Sequence, residues 1–208
     1  MQNDQPSTGE KKRWTRLAPE AREAMILDAA IDFFAENGFA AQTRELADRI
    51  GVSQGLIFRY FATKEMLVDC VYQKTFEARW DSRWDEMLLD RSVPIRDRLV
   101  GFFLSYINAI DDSVWIRIVM YSSLAGWDLA RRYISEHVDK LMVVMSQEMA
   151  ASLEMDVELD SELIWHLQST FIYYLVRKHI HKTPVCEDKA AMVERLVDAY
   201  IYGVQASS

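Results

Sequence analysis

An all-α fold of about nine helices follows from three observations. Apolar residues recur at helical spacing from about residue 19 onward, no stretch alternates with the two-residue period of a half-buried strand, and only 7 Gly and 4 Pro interrupt 208 residues. Half of the residues are hydrophobic, enough to bury a core in one domain or two small ones. No apolar run reaches the length of a membrane span, and the polar opening stretch lacks the apolar segment of a signal peptide. A soluble, cytoplasmic chain is therefore expected. Cys70 and Cys186 share no motif, which suits a reducing compartment and two small buried hydrophobes.

A polar arm is expected over 1–18, a small three-helix unit over 19–64, and a larger helical domain over 65–208. The first helix starts near Pro19, which suits a first helical position, and buries Met25, Ile26, Ala29, Ala30, Phe33 and Phe34. Gly38 fits its C-terminal cap. Two short helices, about 43–50 and 54–60, flank Gly51-Val52-Ser53. A longer helix is expected to start at a capping Thr63 and run through Leu67, Val71, Phe76 and Trp80. Ser92 and Pro94 mark the next start, and Ser113 is the expected cap of the one after. Further helices are expected over about 128–153, 161–181 and 187–205, with an acidic connection at 154–160 and a break at Thr183-Pro184.

Thr43 through Phe61 has the layout of a helix-turn-helix. Leu46, Ile50, Val52 and Ile57 supply a small core, and Ala47 sits where two crossing helices approach closely. Gly51 falls at the turn, where a residue without a β-carbon accepts positive φ. Ser53 can cap the second helix and leave its N-terminus facing phosphate. That helix would expose Gln54, Arg59 and Tyr60 on the side away from Ile57, which a buried structural hairpin would disfavour and a DNA groove would use.

The order of elements resembles the tetracycline-repressor (TetR) family. The resemblance rests on a first helix ending in Phe33, Phe34, Gly38 and Phe39, a Thr-x-x-Leu-Ala helix from Thr43, Gly51-Val52-Ser53, a helix ending in Arg59-Tyr60-Phe61, and Thr63-Lys64-Glu65-x-Leu67. It covers about residues 22–68. It implies a homodimeric regulator, most simply a repressor, that reads a palindromic double-stranded operator and is released by a small-molecule effector. By position it implies that Thr43 and Arg44 contact phosphate and the groove edge. Gln54, Gly55, Leu56 and Arg59 would face bases, where Gln can pair with adenine and Arg with guanine. Tyr60 and Lys64 would meet phosphates. The family's usual Tyr is Phe58 here, so an apolar contact, for instance with a thymine methyl, replaces a phosphate hydrogen bond.

Charge bears on this reading through its distribution. The net charge is −8, but residues 1–64 hold nine basic and nine acidic side chains, and the whole excess lies beyond them. Lys11, Lys12, Arg13 and Arg16 cluster before the first helix, as a minor-groove arm or a solvated tail.

No enzyme, cofactor or metal is implied. Gly51-Val52-Ser53-Gln54-Gly55 matches the Gly-x-Ser-x-Gly pattern of serine hydrolases, but that motif needs a strand before the serine. His179 and His181 stand two apart, which sends them to different helix faces. Asp156, Glu158 and Asp160 lack the glycine turn and closing glutamate of a calcium loop.

Residues 65–208 are rich in aromatics, and Arg79-Trp80-Asp81 recurs as Arg83-Trp84-Asp85, an offset that would stack both tryptophans on one helix face. Such stripes serve core packing or wall a pocket for a largely apolar or aromatic effector. The candidate lining is Tyr106, Trp115, Tyr121, Phe171 and Tyr174. The last two helices are apolar on two sides, Ile164, Leu167, Phe171 and Tyr174 against Trp165, Ile172 and Val176, so one side is expected to pack on a second copy.

Overall fold

The computed structural model describes residues 18–154 and 161–206, and every regular element within them is helical. The basic cluster of the arm and the connection over 155–160 lie outside the described residues. The chain divides into two units. One runs to Ala78 and takes up Arg117–Ala130, and the other holds Arg79–Ile116 and the chain from Arg131 onward.

In the first unit, α1 (Pro19–Asn37) has its proline at the helix start and buries Ile26, Ala30, Phe33, Phe34 and Ala35. It ends at Gly38, whose φ of 76° and N–H bond to the Phe34 carbonyl form the cap. A β-carbon there would also come within 3.3 Å of the Tyr121 ring, a tight approach added to the strain of the positive φ. α2 (Thr43–Ile50) and α3 (Gln54–Tyr60) pack on each other around Leu46, Ala47 and Ile57, all fully buried, with Ile50 and Val52 half-buried. Gly51 between them is left-handed (φ 69°, ψ 30°). Ser53 caps α3 by accepting the Leu56 N–H at 3.2 Å, and Thr63 caps α4 (Lys64–Thr75) by accepting that of Met66. α4 packs along α1 through Leu67, Val68 and Val71. The 117–130 segment is fixed to the same unit by the Arg117 Nε bond to the Ala35 carbonyl (2.6 Å) and by Trp127 against Phe39, which itself stacks on Phe34.

The long helix expected from Thr63 through Trp80 does not form. α4 stops at Thr75, a 3-10 turn covers Glu77–Arg79, and α5 (Arg83–Leu89) starts anew. Asp81 organises the restart. Its carboxylate takes the Arg83 N–H and guanidinium, offering the backbone a local alternative to the helix. Trp80 and Trp84 still meet edge to face at 5.0 Å, but from a loop and a helix rather than from one helix face.

In the second unit, α6 (Ile95–Ile110) packs against α5 and against the last helix. The following α7 (Ser113–Leu124), which passes into the first unit at Arg117, is capped by Asp112, which accepts the Val114 and Trp115 N–H groups, and not by the expected Ser113. α8 (Leu129–Tyr133) continues through a π turn (Ile134–Val138) into α9 (Asp139–Ser152). α10 (Ser161–Leu175) widens into a second π turn (Val176–His181), and α11 (Lys189–Ala206) is capped by Asp188. The core of the unit gathers Trp84, Leu88, Phe102, Phe103, Met145, Phe171 and Val193.

Candidate nucleic-acid interface

The expected DNA-facing residues fall into two groups. Arg44, Gly55, Phe58 and Arg59 stand exposed on the outer sides of α2 and α3. Neither arginine has a hydrogen bond or ion pair among the described residues. Phe58 is 38% exposed on a seven-residue helix whose inner side is sealed by Ile57. At Gly55 an added β-carbon would find only Ser53 Oγ, 4.0 Å away, so no close approach inside the protein demands glycine.

The second group is tied into the protein. Thr43, 6% exposed, accepts a 2.8 Å hydrogen bond from the Gln54 amide, which locks the start of α2 to the start of α3. Leu56 is half-buried with its N–H on the Ser53 cap. The Tyr60 hydroxyl accepts from Arg22 of α1 at 3.3 Å. Lys64 donates to the Phe39 and Ala41 carbonyls (2.6 and 2.8 Å) and lies 5.8 Å from the Phe34 ring centre. Burial pushes its ammonium below the usual lysine range. Two of its three donors therefore hold the loop that leads into α2. Arg22, from outside the motif, was not foreseen, because its partner Tyr60 is 38 residues away and no spacing rule connects them.

The aromatic candidates are placed less uniformly. Tyr106, Trp115, Phe171 and Tyr174 are buried in the second unit, whereas Tyr121 belongs to the first, half-buried under Gly38 and Arg117. Tyr106 and Trp115 both adjoin Tyr133, which bonds to the Tyr106 hydroxyl together with Gln168. Burial pushes the Tyr106 phenol up to about 12 against those two bonds. Phe171 stacks on Phe103 at 4.4 Å. Tyr174 stands apart and donates to the Cys186 carbonyl. Gln168 and Tyr133 were missed, although a glutamine inside the buried stripe Ile164, Leu167, Phe171 is a readable anomaly.

Comparison with known proteins places these features. The family model described as "Bacterial regulatory proteins, tetR family" matches residues 26–71, from the buried half of α1 through most of α4. The chain is 26% identical over 159 residues to the HTH-type transcriptional repressor KstR2 of Mycolicibacterium smegmatis, covering 73% of this chain and 76% of that one. A transcriptional regulator from Pseudomonas aeruginosa PAO1 shares the fold with a TM-score of 0.69 at 20% identity, over 95% of this chain and 96% of its own. FadR from Bacillus subtilis, solved in complex with stearoyl-CoA, shares it with a TM-score of 0.62 at 19% identity, over 86% and 97%. With capped helices, a left-handed turn glycine and a matching motif all at one place, residues 26–71 match the tetR family of bacterial regulatory proteins, and the chain is a DNA-binding transcriptional regulator.

Proposed function

We propose that this chain is a cytoplasmic repressor that binds a palindromic operator as a homodimer and is released by a small, largely apolar or aromatic effector. The observation that carries the reading is the outer face of α2 and α3. Arg44 and Arg59 have no partner within the described protein, and Phe58 is left in water beside them. Arg59 and Gln54 read base edges, Phe58 meets a thymine methyl, and Arg44, Tyr60 and the remaining donor of Lys64 meet phosphates. Thr43 positions Gln54 by the bond between them.

The reader is the 19–64 segment, and α4 with 117–130 buttresses it. The rest of the chain senses and dimerises. Support for dimerisation through the last two helices comes from Leu163, Tyr173, Ile180 and Tyr202, all exposed, and from Trp165, Ile172 and Val176, half-buried beside them. Isologous pairing would set the two α3 helices about 34–36 Å apart, one turn of the duplex. The effector reading draws support from the aromatic surroundings of Tyr106, Trp115 and Phe171 and from the acyl-CoA ester held by FadR. No single helix among the described residues is long and apolar enough to cross a membrane.

The chain passes between its two units at 78–79, 116–117 and 130–131. An effector that prefers one arrangement of the second unit therefore has three covalent routes to the reader, of which the helix beginning at Lys64 is one. Couplings of this kind are about 1–3 kcal/mol. A mobility-shift titration on the DNA flanking the chain's own gene tests the proposal. A retarded complex that is lost with Arg44→Ala is expected. Unchanged affinity and salt slope in that variant would remove the assignment.

A further inference from the structure

We propose that the cleft at the N-terminal end of α6 binds a small oxyanion, a carboxylate or phosphate head carried on a compact apolar body. The cavity, about 430 Å³, is walled by Arg91, Val93, Pro94, Ile95, Arg98 and Ser152. Arg98 is only 3% exposed. Its Nη1 donates to the Leu88 carbonyl (2.6 Å) and Glu148 (2.9 Å), and its Nη2 to Ser152 (2.9 Å). Its Nε–H finds no acceptor among the described residues. A buried donor on a permanent cation is costly to leave unmade and is a rare feature in a settled core.

Two further observations point the same way. Pro94 stands at the N-cap of α6 and provides no side-chain cap, so the first N–H groups of a sixteen-residue helix face this end without a side-chain partner. Arg91 adds a second guanidinium, largely exposed, that leans on the same Glu148 carboxylate at 2.8 and 3.0 Å. Glu148 is thereby shared between two arginines, and the nearby Asp90 is turned onto Ser92. The corner is close to neutral as a whole, so selection rests on the Arg98 Nε–H, the α6 N–H groups and Arg91 rather than on long-range attraction. Both carboxylates are already engaged, which leaves nothing to hold a cation. Val93, Pro94 and Ile95 supply the apolar wall that a bare inorganic ion would not need.

The test is a titration of the full-length protein followed in a ¹H–¹⁵N spectrum, with the Arg98 Nε–H resonance assigned by its loss in Arg98→Lys. The probes are inorganic phosphate, isovalerate and the neutral isoamyl alcohol. Saturable shifts at Arg98 Nε–H and the Ile95 and Arg96 amides with either anion, and none with the alcohol, are expected. Tighter binding of isovalerate identifies an organic acid as the source, and tighter binding of phosphate identifies a phosphorylated one. The double variant Arg91→Gln with Ser152→Ala keeps the buried Arg98–Glu148 pair and should weaken the anion at least tenfold. No saturable shift, an equal response to the alcohol, or equal affinity in the double variant would each overturn the proposal.

Discussion

The two units treat their arginines in opposite ways. In the second, Arg79, Arg83, Arg91, Arg96 and Arg98 each meet a carboxylate of the same unit. In the first, Arg44 and Arg59 meet none, although Arg49 close by is paired with Glu36 and Arg22 with the Tyr60 hydroxyl. An unpaired arginine on a surface is ordinary. Two of them beside a partly exposed phenylalanine, on short helices whose inner sides are fully sealed, are what the proposed DNA-facing assignment rests on. Under the proposed function the contrast separates charge that organises the fold from charge that reads DNA, and it can be attacked from either end.

The largest effect should come from the core of the second unit. Phe103 is fully buried and stacked on Phe171. Phe103→Ala should cost about 3–5 kcal/mol in a denaturant titration, through lost burial and the cavity left behind. A loss below 1 kcal/mol would mean that this aromatic cluster already encloses space that relaxes around a missing ring. Next in size is Glu148→Gln, which leaves the buried Arg98 with a weaker partner. Its cost should be up to about 3 kcal/mol, at the low end for a buried pair because Arg91 is open to solvent. The same residue sets an acid limit. The bond from Arg91, together with that from Arg98 and against the opposing effect of burial, holds the Glu148 carboxyl at about 2. Burial alone would raise Asp111, but bonds from Lys178, His179 and Lys189 outweigh it and hold it near 2 as well. A depressed carboxyl contributes stability that is present above its ordinary pKa and is lost as pH falls through the folded value. Stability should therefore drop between about pH 4.5 and 2, and Glu148→Gln and Asp111→Asn should each flatten that slope.

From the reading end, Arg59→Ala should leave the melting temperature nearly unchanged and weaken operator binding by about 1–3 kcal/mol, or roughly 5- to 150-fold. An unchanged salt slope places Arg59 on a base, and a slope reduced by about one places it on a phosphate. A fall in stability with no fall in affinity would erase the distinction between the two sets of arginines.

The first unit was legible in the sequence because its constraints are local. Gly38, Gly51, Ser53 and Thr63 each act within four residues of where they stand, and each does in the structure what its spacing required. Where local rules competed, the reading failed. The helix that apolar spacing alone would have continued stops at Thr75, with Asp81 holding the Arg83 backbone where the next one starts, and Asp112 took a cap that Ser113 was expected to supply. Long-range partners left no trace in spacing. Lys64 has a family role at the DNA, but here the carbonyls of Phe39 and Ala41, more than twenty residues away, claim two of its donors. Tyr121 read as a pocket aromatic like Tyr106, yet the chain returns it to the first unit beneath Gly38.

The smallest change gives the sharpest test of the outer face. Gly55 lies in the first turn of α3, where glycine is a poor helix former, costing up to about 1 kcal/mol against alanine. Nothing in the protein explains it, since a β-carbon there would approach only Ser53 Oγ at 4.0 Å, an ordinary distance. Gly55→Ala should therefore melt at the same temperature or slightly higher. If the constraint comes from outside, the added methyl meets the groove, and operator affinity falls while stability holds or rises. That pairing of opposite signs cannot arise from damage to the fold. Equal affinity in Gly55→Ala would turn this face of α3 away from the bases and leave Arg59 to read them from the helix end.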